Sequence, residues 1–287
     1  MQEHSLAGDN LHMDVHTLRL GYHDRANLMP LLYPVKAGWV APQSSWSLEI
    51  ANALPAALLD QVLGGELDGA FLPPAALTRY GDAGGSRGHG DPVLHSPGGW
   101  GLVSEGRSET AVLLAPQRLD LMDGGRVAIT PGAHGSTAER LLRILLAPYY
   151  GIHLTLCPPG DPRYDPNGAR LLYGDDAAQE AARLPAGWVA EDMGVAWFVF
   201  TGLPTVWEML AVRGDLEQRK PGAVEQLQAL LRGSRRAGQE QQATILDAAA
   251  RRLGLPEAQV RELFKRQTYT LGQAEQKALV RFLLSLG

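Results

Sequence analysis

The sequence predicts an α/β protein with parallel strands. Strand-like and helix-like segments alternate along the first hundred residues, the order that builds parallel sheets flanked by helices. Glycine and proline number 33 and 19 among 287 residues, which implies many short connections. Beyond Arg213 the apolar spacing becomes helical. A hydrophobic share of 45% and a charged share of 20% exclude a disordered or fibrous chain. The length suggests about two domains, and the single cysteine, Cys157, gives no disulfide framework.

The elements follow in order. TLRLGY at 17–22 alternates apolar and polar residues and reads as a first strand, with a helix from Asn27. SLEIANALP is a second strand that stops at Pro55; Ala57, Leu58, Gln61 and Val62 then stand at helical spacing, and Gly64 and Gly65 end that helix. LDGAFLPP reads as a short buried strand, and residues 81–90 as a flexible loop. GWGLVS, TAVLLAP and RVAIT are strand-like. From Thr137 a helix puts Leu141, Ile144, Leu145 and Tyr149 on one face, closed by Gly151. ARLLYGDDAAQEA repeats strand, turn and helix, and the apolar run VAWFVFTGLP reads as a buried strand punctuated by Gly202 and Pro204. The tail carries three or four amphipathic helices, with apolar sets such as Leu227, Leu230 and Leu231, or Ile245, Leu246, Ala249 and Leu253.

The N-terminal residues are acidic and polar where a signal peptide would carry cations and then an apolar stretch, so a cytoplasmic location is expected. No run is long and apolar enough to cross a bilayer. The net charge of −5 is uneven: residues 213–287 hold 13 Lys/Arg against 8 Asp/Glu, so the body is acidic, which argues against a nucleic-acid surface there.

Several segments are candidates for chemistry. Gly132 to Thr137 follow a strand and open a helix, an arrangement that presents free N–H groups to an anion, with Ser136 or Thr137 as added hydroxyl donors; the lysine of a phosphate-binding P-loop is missing, and an ordinary helix cap is the competing reading. Gly84 to Gly88 match G-x-S-x-G, but both flanks are loop, so no nucleophile elbow is expected. Ala250, Gly254 and Val260 stand at helix-turn-helix spacing beside Arg251, Arg252, Arg261, Lys265 and Arg266; Glu257 and Glu262 on the would-be recognition helix favour two packed helices with a solvated face. The eight histidines show no HExxH spacing and one cysteine makes no CxxC, so no metal site is expected. Asp175 and Asp176 follow a strand, where they either face a cleft or cap a helix.

LGYHDRANLMPL at 20–31, LGGELDGAFLPP at 63–74, GRSETAVLLAP at 106–116, GSTAERLLRILL at 135–146, LLYGDDA at 171–177 and EDMGVAWFVFTGLPTVWEM at 191–209 occur in one order. Together they resemble the chorismate dehydratases of the futalosine route to menaquinone, over nearly the whole chain. The resemblance implies a type II periplasmic-binding-protein-like fold: two α/β domains facing each other across a cleft, with residues 14–109 and 202–287, including the tail helices, as domain I and 110–201 as domain II. It implies loss of water from chorismate to give 3-[(1-carboxyvinyl)oxy]benzoate, with a small-molecule substrate, no cofactor, and neither nucleic acid nor membrane as partner.

By the family's pattern Asn27 is the active-site asparagine, and Thr110 stands where the family has an active-site serine, keeping the hydroxyl and adding a methyl. Gly135, Ser136 and Thr137, Asp175, and Thr201 with Gly202 of the T-G-L-P segment are the expected substrate-binding residues. Pro73 and Pro74 stand where relatives have Ser or Thr. His23 and Asp24 are rival bases beside a mechanism in which the substrate's own enolpyruvyl carboxylate takes the proton. The dianionic substrate needs local cations, for which Arg19, Arg25, Arg107 and Arg140 are candidates. The competing functions are the paralogous 1,4-dihydroxy-6-naphthoate synthase, whose N-terminal segment is not matched, a solute-binding protein, and a ligand-sensing DNA-binding regulator.

Overall fold

The computed structural model describes residues 15–43, 45–80 and 94–286. The loop expected at 81–90, the G-x-S-x-G segment at 84–88, and His4, His12 and His89 lie outside the described residues. Among the described residues the strands form two sheets, one of seven strands and one of five.

The chain opens with β1 (His16–Tyr22), α1 (Met29–Lys36), β2 (Trp46–Asn52), α2 (Pro55–Gly64), β3 (Gly69–Leu72), α3 (Ala75–Tyr80), β4 (Leu94–His95) and β5 (Trp100–Ser104). Parallel pairing of β1 with β2 and β3 follows from the intervening helices. The chain then enters the second sheet with β6 (Ala111–Ala115), β7 (Arg126–Ile129), α4 (Thr137–Leu145), β8 (Thr155–Cys157), β9 (Arg170–Tyr173), α5 (Asp175–Ala181) and β10 (Val189–Asp192). Helix α6 (Met193–Thr201) leads back to β11 (Thr205–Arg213), the long central strand of the first sheet, which lies antiparallel between β3 and β5. The tail is α7 (Leu216–Arg219), α8 (Ala223–Glu240), α9 (Gln242–Leu253), α10 (Glu257–Lys265), β12 (Gln267–Thr270) and α11 (Gln273–Leu284).

Two expectations change. VAWFVFTGLP is a helix and not a strand: the Asp192 carboxylate accepts from Gly194 N and Val195 N at its start, and Gly202 at φ 71 ends it. The tail, expected as three or four helices, also holds a strand, because Gln267–Thr270 pairs with β5 and extends the first sheet.

The two passages between sheets touch. Asp192 accepts from Glu109 N at 2.7 Å and from both the backbone N and the hydroxyl of Ser108, while also capping α6. Glu109 sits at φ 58, in the left-handed region that favours glycine. A Cβ at Gly194 would lie 2.4 Å from the Gly106 carbonyl, so only glycine lets the passages approach this closely. The main core spans both sheets, joining Leu18, Leu20, Phe71 and Trp207 of the first to Leu113, Ile129 and Leu171 of the second. Among the described residues no helix is long and apolar enough to cross a membrane.

The basic residues around α9 and α10 are paired with acids: Arg251 with Asp247, Arg261 with Glu257, Lys265 with Glu262 and Arg266 with Glu109. The two helices pack together around Ile245, Leu246, Leu253, Val260 and Leu263.

Candidate active site

In sheets built from parallel strands, ligands are held beyond the carboxyl ends of the strands, where connections diverge. Here the ends of β1 and β9, one from each sheet, face each other. Beyond Tyr22 the chain runs through His23, Asp24 and Arg25 into a single helical turn at Ala26–Leu28. Beyond Tyr173 come Gly174, at φ 91, and Asp175.

The two ends are stitched together. Ala26 N donates to Asp175 Oδ1 at 2.8 Å. Arg252 of α9 reaches both sides, donating to Asp175 Oδ2 at 2.5 Å and to Asp24 Oδ1 at 2.9 Å. Asn27, 1% exposed, donates from Nδ2 to Thr110 Oγ1 at 3.0 Å, and Gly174 N donates to the Thr110 carbonyl at 2.7 Å. Asn27 is fixed from behind, where the Tyr269 hydroxyl donates to its carbonyl at 2.9 Å.

Between these contacts lies a buried polar cluster. Arg25, 1% exposed, forms an ion pair with Glu208, also 1% exposed, and its guanidinium lies 4.3 Å over the Tyr173 ring. A register shift between Val206 and Glu208 of β11 breaks the strand's alternation, so that Trp207 packs against Tyr173 while Glu208 meets Arg25. Trp207 is held by an indole N–H donated to Ser104 Oγ at 2.8 Å. Among the described residues His23 Nδ1, Arg25 Nε, Arg25 Nη1, Asn27 Oδ1, the Tyr173 hydroxyl and Glu208 Oε1 of this cluster have no hydrogen-bond partner. Buried polar atoms are almost always paired, so several unpaired ones in one place mark a site that meets a polar ligand or water.

Burial pushes the Glu208 carboxyl up against the pull of Arg25, to about 7. Burial, helped by the charges of Arg25 and Arg252, lowers His23 to about 3, so its imidazole is neutral. Its folded value lies below its unfolded one, so stability is lost as pH falls from 6.5 toward 3, by up to about 4 kcal/mol from this residue alone. A His23→Gln variant is expected to show a flatter decline of its urea midpoint over that range than the parent.

The match to known proteins decides the family. A family model described as menaquinone biosynthesis matches residues 18–286. The chain belongs to the menaquinone biosynthesis family. Similar solved structures show the fold of this family member. The crystal structure of protein AF1704 from Archaeoglobus fulgidus superposes with a TM-score of 0.68 at 18% identity, covering 94% of this chain and 96% of that one. The periplasmic aliphatic sulphonate binding protein SsuA from Escherichia coli gives 0.59 at 16% identity, covering 93% and 85%. The alkanesulfonate-binding protein SsuA from Xanthomonas axonopodis pv. citri, bound to MOPS, gives 0.61 at 15% identity, covering 93% and 90%. The architecture is the periplasmic-binding-protein fold, with two sheets and additional C-terminal helices.

In this family member the residues expected from sequence fall into three groups. Asn27, Thr110 and Asp175 meet where the two sheets meet. Gly135, Ser136 and Thr137 are also at the junction, but their polar groups are spent within the chain. The Ser136 hydroxyl donates to the Ala133 carbonyl at 2.6 Å and caps α4; the Thr137 hydroxyl donates to the Trp207 carbonyl at 2.5 Å; Gly135 N donates to Glu139 at 2.8 Å. The Glu139 carboxylate, pushed up by burial but held below its ordinary value by Arg143 and the Gly135 N–H, already occupies the position at the helix start where a bound anion was expected. Thr201 and Gly202 form the end of α6, the Thr201 hydroxyl donating to the Trp197 carbonyl at 2.8 Å, and Gly202 is exposed.

Glu208, Tyr173 and Trp207 were not singled out from sequence. The signal for Glu208 was one carboxylate inside the apolar run TVWEMLAV, which a buried strand tolerates only when the charge is paired.

Proposed function

We propose that this chain is a chorismate dehydratase, removing water from chorismate to give 3-[(1-carboxyvinyl)oxy]benzoate, and that the reaction takes place between the carboxyl ends of β1 and β9. The reading rests on the juxtaposition of Asn27, in the turn after β1, and Thr110, just before β6 of the other sheet, hydrogen-bonded at 3.0 Å beside a buried polar cluster. Family membership supports a role in menaquinone biosynthesis. Two fold relatives are binding proteins for sulphonates, which, like chorismate, are organic anions.

The chemistry asks little beyond placement and charge. The ring proton beside the enolpyruvyl ether leaves from a carbon vinylogous to the ring carboxylate, and the ring hydroxyl departs with it as water. Aromatisation supplies the driving force. Charge that develops on the carboxylate must be met by fixed donors and cations. Asn27 contributes an unpaired amide oxygen that orients the ring hydroxyl before it leaves, and Thr110 fixes that amide. The substrate's enolpyruvyl carboxylate takes the ring proton and passes it to the departing hydroxyl, which leaves as water.

Incubating the purified protein with chorismate, and following the products by chromatography and mass, tests the assignment. The expected result is an aromatic enolpyruvyl ether lighter than chorismate by one water. Unchanged chorismate without thermal stabilisation favours the paralogous naphthoate synthase, and stabilisation without conversion favours a binding protein.

A further inference from the structure

We propose that Arg25 is the cation that receives a ligand carboxylate in this cleft, and that Glu208 is its resident counter-ion, holding the guanidinium in place and yielding charge to the ligand. The inference deepens the functional reading by naming the group of this site that recognises the anion. Four arginines were candidates from sequence. Arg19 lies on the surface, paired with Glu49 at 3.1 Å with side-chain exposures of 49% and 66%, and Arg107 and Arg140 are exposed. Arg25 alone among them is buried at the junction of the two sheets.

Its donors are not used up. Glu208 meets the Nη2 side, while Nε and Nη1 have no hydrogen-bond partner among the described residues. An arginine buried with open donors is costly unless something polar meets them. The Tyr173 ring under the guanidinium holds its plane, and Asn27 follows two residues later on the same turn. A cation whose charge is balanced by a buried acid is suited to a ligand that arrives charged, because a planar carboxylate can use the guanidinium's fixed fork while the acid takes a proton.

Two carboxylates cannot both stay ionised against one guanidinium in a buried site without a large cost. Ligand binding therefore brings a proton onto Glu208. The groups that face it are Arg25 and Tyr173, with His23 beyond the Tyr173 ring. Burial holds the Tyr173 phenol protonated and His23 neutral, so neither supplies or takes the proton near neutral pH.

The test uses titration calorimetry with chorismate, benzoate and the uncharged benzyl alcohol, in buffers of different ionisation enthalpy at pH 7.5. For the parent, carboxylate binding is expected with fractional proton uptake. Glu208→Gln is expected to bind benzoate about 5- to 10-fold tighter with no proton uptake, since a competing charge is gone. Arg25→Met is expected to bind chorismate and benzoate about 100-fold more weakly, with benzyl alcohol unchanged. The double variant Arg25→Met, Glu208→Met leaves no unpaired buried charge, and it is expected to fold and to show the same loss of carboxylate binding. A merely structural pair predicts that Glu208→Gln and Arg25→Met weaken all ligands together, and that result, or unaltered chorismate binding in the double variant, overturns the proposal. If the parent binds carboxylates with this pattern yet leaves chorismate unconverted, the dehydratase assignment fails and the role of Arg25 stands. If the parent converts chorismate and Arg25→Met does so with unchanged KM, the role of Arg25 fails alone.

Discussion

An Asn27→Ala variant is expected to turn over chorismate at least about 100-fold more slowly than the parent, with KM changed by less than about 10-fold. The split follows from the geometry. Asn27 Nδ2 holds Thr110 at 3.0 Å, and Oδ1 is buried without a partner among the described residues, so truncation removes both the group proposed to orient the ring hydroxyl and the tie that places Thr110. Binding of the carboxylates is left to other residues, so KM moves little. The Tyr269 bond reaches the Asn27 main-chain carbonyl and survives the substitution, which limits the loss of stability to about 1 kcal/mol. Steady-state kinetics with a parallel thermal melt check this: a parent-like kcat contradicts the role, and a melting temperature lowered by far more than a few degrees turns the effect into one of folding.

The second large effect is on the fold. Asp192→Ala is expected to cost about 3–5 kcal/mol, read as a fall in the denaturant midpoint without a change of slope. One carboxylate there accepts from Ser108 N, the Ser108 hydroxyl, Glu109 N, Gly194 N and Val195 N. Its loss removes a helix cap and leaves several N–H groups unpaired where the two passages between sheets meet. Glu109, at φ 58, is held in that conformation by the Asp192 bond at 2.7 Å, and Thr110 is the next residue. Turnover is therefore expected to fall with stability, since Thr110 loses its alignment with Asn27. Asp192→Asn keeps one acceptor oxygen and is expected to lose about half as much. Equal stability of Asp192→Ala and parent removes this account of the crossing.

The alternating elements of the first half were legible because local pattern and final fold agree there. Leu18 and Leu20 alternate on a strand with one well-buried face, and Gly64 and Gly65 end α2 as their chemistry requires. VAWFVFT misled because an apolar run carries no period, and the Asp192 cap that makes it helical lies just ahead of it. Gln267–Thr270 is short and polar, and pairing with β5 alone makes it a strand. Within the site, Asn27 and Thr110 stood out through resemblance to a family, and the structure adds what resemblance does not carry: which oxygen is unpaired and what holds the amide. Arg25 and Glu208 are far apart in sequence, so their pairing follows from topology and from the irregular register of β11. The hydroxyls of Ser136 and Thr137 were visible as donors in sequence, but their acceptors, the carbonyls of Ala133 and Trp207, were not.

The most direct test of a ligand site between the two sheets is hydrogen exchange of the parent protein with and without excess chorismate. Ligand slows exchange where opening of the site must precede it. The expected result is added protection at residues 23–28, 108–112 and 173–176 together. Beside the junction lies a pocket of about 260 Å3 that Asp24, Arg25 and Arg252 line from the site and Tyr22, Met29 and Tyr33 from the α1 side. Protection confined to residues 29–37, or no change at residues 108–112 and 173–176, contradicts a site shared between the sheets.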